Sequence, residues 1–152
     1  MTNVIPLAKL PRGIRNNNPG NLRHGDPWQG LSDRQPDTAF CTFEDPIYGL
    51  RALMKVLLAY RTKHKLRTIA QAIARWAPPN ENDTPAYIAT VARRCGVDQD
   101  AAVDWSEPKL LALMARAIVT HENGRAPSSR PADWYEVAIY ARAAALATGK
   151  DA

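Results

Sequence analysis

Glu122 is the residue whose setting first invites chemistry. It closes the run Ala117-Ile-Val-Thr-His-Glu122-Asn-Gly124, in which apolar residues at helical spacing lead to a helix-ending glycine. A carboxylate in a last helical turn meets the negative end of the helix dipole, which disfavours its charged form. Partial burial would act in the same direction. A carboxyl group treated in this way keeps its proton near neutral pH, which is what a general acid requires. The plain alternative is an exposed glutamate beside a glycine cap.

A second stretch offers recognition rather than proton transfer. Arg12-Gly-Ile-Arg-Asn-Asn-Asn-Pro-Gly-Asn-Leu-Arg23 places four asparagines around Pro19-Gly20. Asn tolerates left-handed backbone, Pro19 fixes φ and Gly20 permits φ > 0, so the stretch reads as a rigid series of turns anchored by Ile14 and Leu22, neither helix nor linker. Asn18 and Asn21 are the amides assigned to a neutral polar ligand such as a sugar; the alternative is an ordinary Asx-rich turn. Tyr87, on an amphipathic segment, can orient Glu122, hydrogen-bond a substrate or fill the core.

The elements that must position these groups can be read from their punctuation. Residues 12–45 are too rich in Gly and Pro for long elements, and Ala39-Phe-Cys-Thr-Phe43 is the one strand candidate of a small irregular sheet. Asp45-Pro46 opens a core helix carrying Ile47, Leu50, Leu53, Met54, Leu57 and Leu58 to about Arg61. Thr68-x-x-Gln71 reads as a capping box before a short helix stopped by Pro78-Pro79. Thr84-Pro85 starts a helix with Tyr87, Ile88 and Val91, ended by Gly96. Ser106 caps the helix that ends in Glu122, with Leu110, Leu113, Met114, Ala117 and Ile118 on one face. A last amphipathic helix spans about 132–147 and ends at Gly149.

The chain has 152 residues, enough for one domain, with residues 1–11 as a loosely held arm. Its formal charge is +5, which favours an anionic partner. No apolar run is long enough to span a membrane. Met1–Leu10 lacks the basic and apolar regions of a signal peptide, so the expected product is made in the cytoplasm and is carried outward by something else. Cys41 and Cys95 are far apart and read as buried thiols; His24, His64 and His121 have no metal spacing, so neither a metal nor a cofactor is expected. The basic run Arg61–Arg67 reads as a solvated helix end.

Ala117–Gly124 resembles the end of the catalytic helix in the lysozyme-like superfamily, where soluble lytic transglycosylases and goose-type lysozymes carry Glu-Ser-Gly; here Asn123 replaces the Ser. Asn18-Pro-Gly-Asn-Leu22 resembles the substrate-side segment of glucosaminidases in the same superfamily. Ala74–Val91 is similar to a third segment, in which a Pro- and Asn-rich loop precedes a helix with Tyr87 and Val91 in a Tyr-x-x-x-Val pattern. Residues 12–124 together look like phage and prophage wall-degrading proteins bearing Arg-Gly-Ile-Arg-Asn-Asn-Asn-Pro-Gly-Asn. The resemblance implies a mainly α, α+β lysozyme-like fold of about five helices, with a small turn-rich lobe beside a cleft. Most of the superfamily places the Glu helix first. Here it comes near the end, and residues 1–15 hold no acid, so a circularly permuted order is inferred.

The same resemblance implies cleavage of peptidoglycan between N-acetylmuramic acid and N-acetylglucosamine, with Glu122 protonating the leaving oxygen. A hydrolase normally adds a second carboxylate, whereas a lytic transglycosylase does not. Among Asp26, Asp33, Asp37, Glu44 and Asp45, Glu44 ranks first because it follows the strand candidate beside Phe43; its alternative role, with Asp45, is at a helix N-terminus. Trp28, Trp76, Trp105 and Trp134 could stack on sugar rings, although Trp76 stands at helical spacing, where a tryptophan more often fills the core. The expected partners are peptidoglycan and an anionic wall or outer-membrane surface, met by a monomer acting on the periplasmic wall. A non-catalytic wall-binding module and a basic nucleic-acid-binding protein are the rival readings. No helix concentrates base-reading residues, which argues against sequence-specific nucleic-acid binding.

Overall fold

The structure, a computed structural model, describes residues 5–151. The N-terminal part of the expected arm, residues 1–4, lies outside the described residues; Leu7–Lys9 forms one 3₁₀ turn. The fold is mainly α. Helices α1 (Arg12–Arg15), α2 (Pro46–Thr62), α3 (Ile69–Trp76), α4 (Thr84–Cys95), α5 (Pro108–Asn123) and α6 (Val137–Thr148) follow one another, with a 3₁₀ turn at Ala132–Trp134. No described helix is long and apolar enough to cross a membrane.

Local chemistry sets most helix starts. The Asp45 carboxylate accepts from Ile47 N at 2.9 Å ahead of α2. Thr68 and Gln71 close a reciprocal capping box on α3, and Asp83 caps α4. Gly96 and Gly149 adopt left-handed conformations behind α4 and α6. Ser106 does not cap α5: its hydroxyl donates to Asp104 instead. Glu107 accepts from Lys109 N and Leu110 N, and Pro108 takes the first turn.

The core sits where α2, α5 and α6 meet, with α3 and α4 closing one side. α2 buries Leu50, Leu53, Met54 and Leu57, and α5 buries Leu111, Met114, Ala115 and Ile118. Its apolar stripe is turned from the expected one, leaving Leu110 and Leu113 half-buried, because α4 and α6 flank α5 on two sides. Ala143, Ala144 and Ala147 keep α6 thin enough to lie close against its neighbours. Trp105 is buried, and its indole donates to Leu57 O at 2.7 Å. Trp134 is buried and donates to Gly124 O, so neither indole can stack on a sugar.

Two expected elements differ. The last helix begins at Val137 rather than 132, because Asp133 and Trp134 take positive φ of 57° and 74°. That bend lets the buried Asp133 carboxylate accept from Arg94 on α4, and from Arg116 and Thr120 on α5. The second difference is at Ala39–Phe43, which forms only the isolated antiparallel bridges Arg23↔Phe40 and Leu31↔Phe43. Side chains take the place of a ladder. Gln35 both donates to Thr42 O and accepts from Thr42 N, while Asn17 and Asn18 donate to Phe43 O and Cys41 O. Cys41 is buried, and burial pushes its thiol pKa up; Cys95 is half-buried, its thiol pushed up to about 11 by burial.

Candidate active site

α5 carries Glu122 to the rim of an open cleft of about 430 Å³. The opposite wall comes from the turn-rich lobe through Asn21, Leu22, Arg23 and Phe40, and the floor from Trp76 and the loop after α3. The carboxylate is half-buried. Burial raises its pKa, opposed by the Tyr87 hydroxyl, by His121 and by the Asn21 and Trp76 side chains on its flank. Only Tyr87 reaches it with hydrogen-bond geometry, donating from Oη to Oε2 at 3.1 Å. The Trp76 indole in turn donates to Tyr87 Oη at 3.2 Å.

This relay from Trp76 through Tyr87 fixes the carboxyl's rotamer. Tyr87 is fully buried on α4 and its ring stacks on His121, with centroids 3.6 Å apart. Burial first, and the adjoining Glu122 charge second, hold the Tyr87 phenol far above the usual tyrosine range, so it remains a donor. Its assignment as a substrate-binding residue is therefore corrected: it touches the acid, and no surface of it is left for a sugar.

The asparagines divide in the same way. Asn18 is fully buried. Its amide donates to Leu22 O at 3.0 Å and Cys41 O at 2.9 Å, and its carbonyl accepts from Leu22 N at 3.0 Å. Asn16 and Asn17 are likewise engaged, with Asp37 and Phe43 O. The substrate role expected of Asn18 is thus replaced by a structural one. Asn21, with φ of 52°, lines the cleft, and its Oδ1 is buried without a protein partner. Gly20 needs no positive φ; the left-handed positions of the turn are Asn17 and Asn21. α1 is a further difference, a single helical turn where only turns were expected.

Asn123 joins the two walls. Its amide donates to Pro19 O at 2.8 Å and to Val119 O at 2.9 Å, tying the turn that bears Asn21 to the end of α5. Gly13 makes this approach possible: a Cβ there would lie 2.6 Å from Asn123 Oδ1 and 2.9 Å from Asn21 Oδ1. Glu44 is exposed and does not line the cleft, which removes it as the second carboxylate of this site. The carboxylates among the lining residues are Glu122 and Glu81, the latter exposed on the loop before α4. Glu81 was missed because a polar loop residue shows no spacing that would single it out.

Among the described residues no group of three His, Cys, Asp or Glu side chains could hold a metal ion. The arrangement can deliver one proton from a protonated carboxyl, then hold the resulting charge with the Tyr87 donor.

No protein-family model matches the chain. A comparison with known proteins finds Protein P5 of Pseudoalteromonas phage PM2, which is 37% identical over 126 residues, covering 80% of this chain and 76% of that protein.

Proposed function

This chain belongs to the family of Protein P5 of Pseudoalteromonas phage PM2, and from the acid at the end of α5 we propose that it cleaves peptidoglycan glycan strands. The bond is the one between N-acetylmuramic acid and N-acetylglucosamine, and the protein is a phage or prophage lysin of permuted lysozyme-like order. The observation that carries the reading is a half-buried Glu122 with raised pKa, oriented by the buried Tyr87 in an open cleft of about 430 Å³. Protonated Glu122 donates to the leaving glycosidic oxygen as the bond to the muramyl C1 breaks. The carboxylate then takes a proton either from water, giving a muramidase, or from the muramyl 6-hydroxyl, giving a lytic transglycosylase. Asn21 offers its amide to the substrate's acetamido or hydroxyl groups. Glu81, the other carboxylate lining the cleft, is the candidate to stabilise positive charge developing at the muramyl C1 in the hydrolytic version.

The test is turnover of purified peptidoglycan by wild type and Glu122→Gln. Loss of the acid is expected to lower the rate by about 10²–10⁴-fold. The sign for stability is opposite. A carboxyl whose folded pKa is raised favours the fold while protonated and loses that contribution as pH rises through the folded pKa. Glu122→Gln should therefore melt at the same temperature as wild type in acid and at an equal or higher one at neutral pH. A variant that keeps more than about a tenth of the rate sinks this assignment of the acid.

A further inference from the structure

The cleft does not end at Tyr60. Val56 and Tyr60 on α2 line it and also line a second open hollow, of about 440 Å³, on the far side. That hollow is cationic. Lys55 on α2 and Lys63, which caps the C-terminus of that helix, stand about two turns apart on one face, and Arg75 reaches in from α3 with its guanidinium 5.6 Å above the Tyr60 ring. None of the three forms an ion pair with an acid of the described residues, and Asp26 is the one carboxylate among the lining residues. Trp28 forms part of the wall, and its indole N–H is buried without a protein partner.

We propose that this hollow is a subsite for the carboxylate-bearing peptide stems of the glycan, so that the protein selects strands with intact, charged stems over bare or neutral sugar chains. The inference rests on the glycan-cleaving reading above. Three cations without an ion-pair partner among the described residues repel one another, with Asp26 alone to offset them, and an anionic ligand relieves that repulsion whereas a neutral oligosaccharide has nothing to offer them. A continuous phosphate chain fits less well, because Glu81 and Glu122 in the adjoining cleft would repel it. A neutral backbone with pendant carboxylates meets acid in one hollow and base in the next, which matches the alternation of charge along the surface.

The experiment uses the full chain carrying Glu122→Gln, so that binding is read without cleavage. Its co-sedimentation with purified peptidoglycan is compared with that of the same wall after carbodiimide and ammonia have converted its carboxylates to amides. The variant Lys55→Gln/Lys63→Gln/Arg75→Gln is set beside Lys9→Gln/Arg93→Gln/Lys109→Gln, which removes equal charge elsewhere. Exposed charge pairs are individually weak, so three together should tighten binding to the native wall by about tenfold over the amidated one. The hollow variant should lose that difference and the control should keep it.

Equal binding of both walls by the parent, or equal losses in both triple variants, would overturn the proposal. Loss of binding to double-stranded DNA by the hollow variant, with wall binding intact, would overturn it in favour of a nucleic-acid face. Wild-type protein that sediments with native wall yet releases no product would refute the proposed cleavage while leaving the subsite standing. Cleavage with unchanged KM in the hollow variant would do the reverse.

Discussion

The turn-rich lobe and the helical body are held together by different forces. The body buries a large apolar cluster, from Leu50 and Leu53 on α2 through Leu111 and Met114 on α5 to the alanines of α6. The lobe's own cluster is little more than Cys41, Phe43 and Ala52, and Ala52 belongs to α2. Side-chain hydrogen bonds make up the difference: Asn16, Asn17, Asn18 and Gln35 serve the 37–43 segment, and Asp37 accepts from Arg12, Asn16, Ala39 N and Phe40 N. A polar scaffold of this kind can be shaped closely without bulk, but it depends on every partner being present. Gly49 lets it rest on α2, since a Cβ there would come within 1.9 Å of Asn17 O.

The sharpest way to break this contrast is to damage each region once. Leu53→Ala removes a fully buried side chain from the body and should lower global stability by about 2–5 kcal/mol in urea unfolding. Asn18→Ala strands Cys41 O and Leu22 N–H in the lobe, at about 1–3 kcal/mol, while Leu22 O keeps its bond from Cys41 N. That loss should appear first as lost amide protection in residues 18–43, with the body still folded. If Asn18→Ala instead unfolds the molecule in one step at unchanged lobe protection, the two regions are a single cooperative unit.

Acid should separate the regions again. The Arg12 guanidinium, helped by Ala39 N, Phe40 N and Asn16, holds the Asp37 carboxyl well below the usual carboxylate range. A depressed folded pKa contributes stability above the unfolded pKa and loses it as pH falls through the folded one. Protection of Ala39 N and Phe40 N in hydrogen exchange should thus hold at pH 4 and decline only in stronger acid. Asp37→Asn should remove this protection at every pH. The smallest effect on stability belongs to Asn21→Gly, which removes the amide but keeps the left-handed backbone that Asn21 adopts at φ 52°. Its amide faces the cleft, so turnover should fall by about tenfold, the value of one good hydrogen bond, while the melting temperature stays within about a degree of wild type. A parallel fall of both would return Asn21 to the scaffold.

Much of the body is legible because its signals are local. Asp45-Pro46, Thr68 with Gln71, and Gly96 each act within one turn of the helix end they set. The lobe is harder to read because its partners are remote: Asn18 finds Cys41 O 23 residues away and Asn17 finds Phe43 O 26 away. An asparagine engaged with a distant carbonyl and one left for a ligand look alike in a turn motif, and only burial tells Asn18 from Asn21. Asp133 is similar. Its pull on Arg94 and Arg116 breaks what reads as one continuous amphipathic helix. The Glu122 setting joins both kinds of signal: its place at a helix end is local, whereas the Tyr87 contact spans 35 residues.

The Trp76–Tyr87–Glu122 relay also gives the molecule a light-emitting gauge. Trp105 and Trp134 donate to backbone carbonyls that do not titrate. Trp76 donates to a phenol whose own proton points at the acid. When Glu122 gains or loses its charge, the field along that indole changes, and its emission should shift in step. A fluorescence titration of the untreated protein, repeated on Trp76→Phe to identify the emitter, would follow the protonation of a single carboxyl with no label attached.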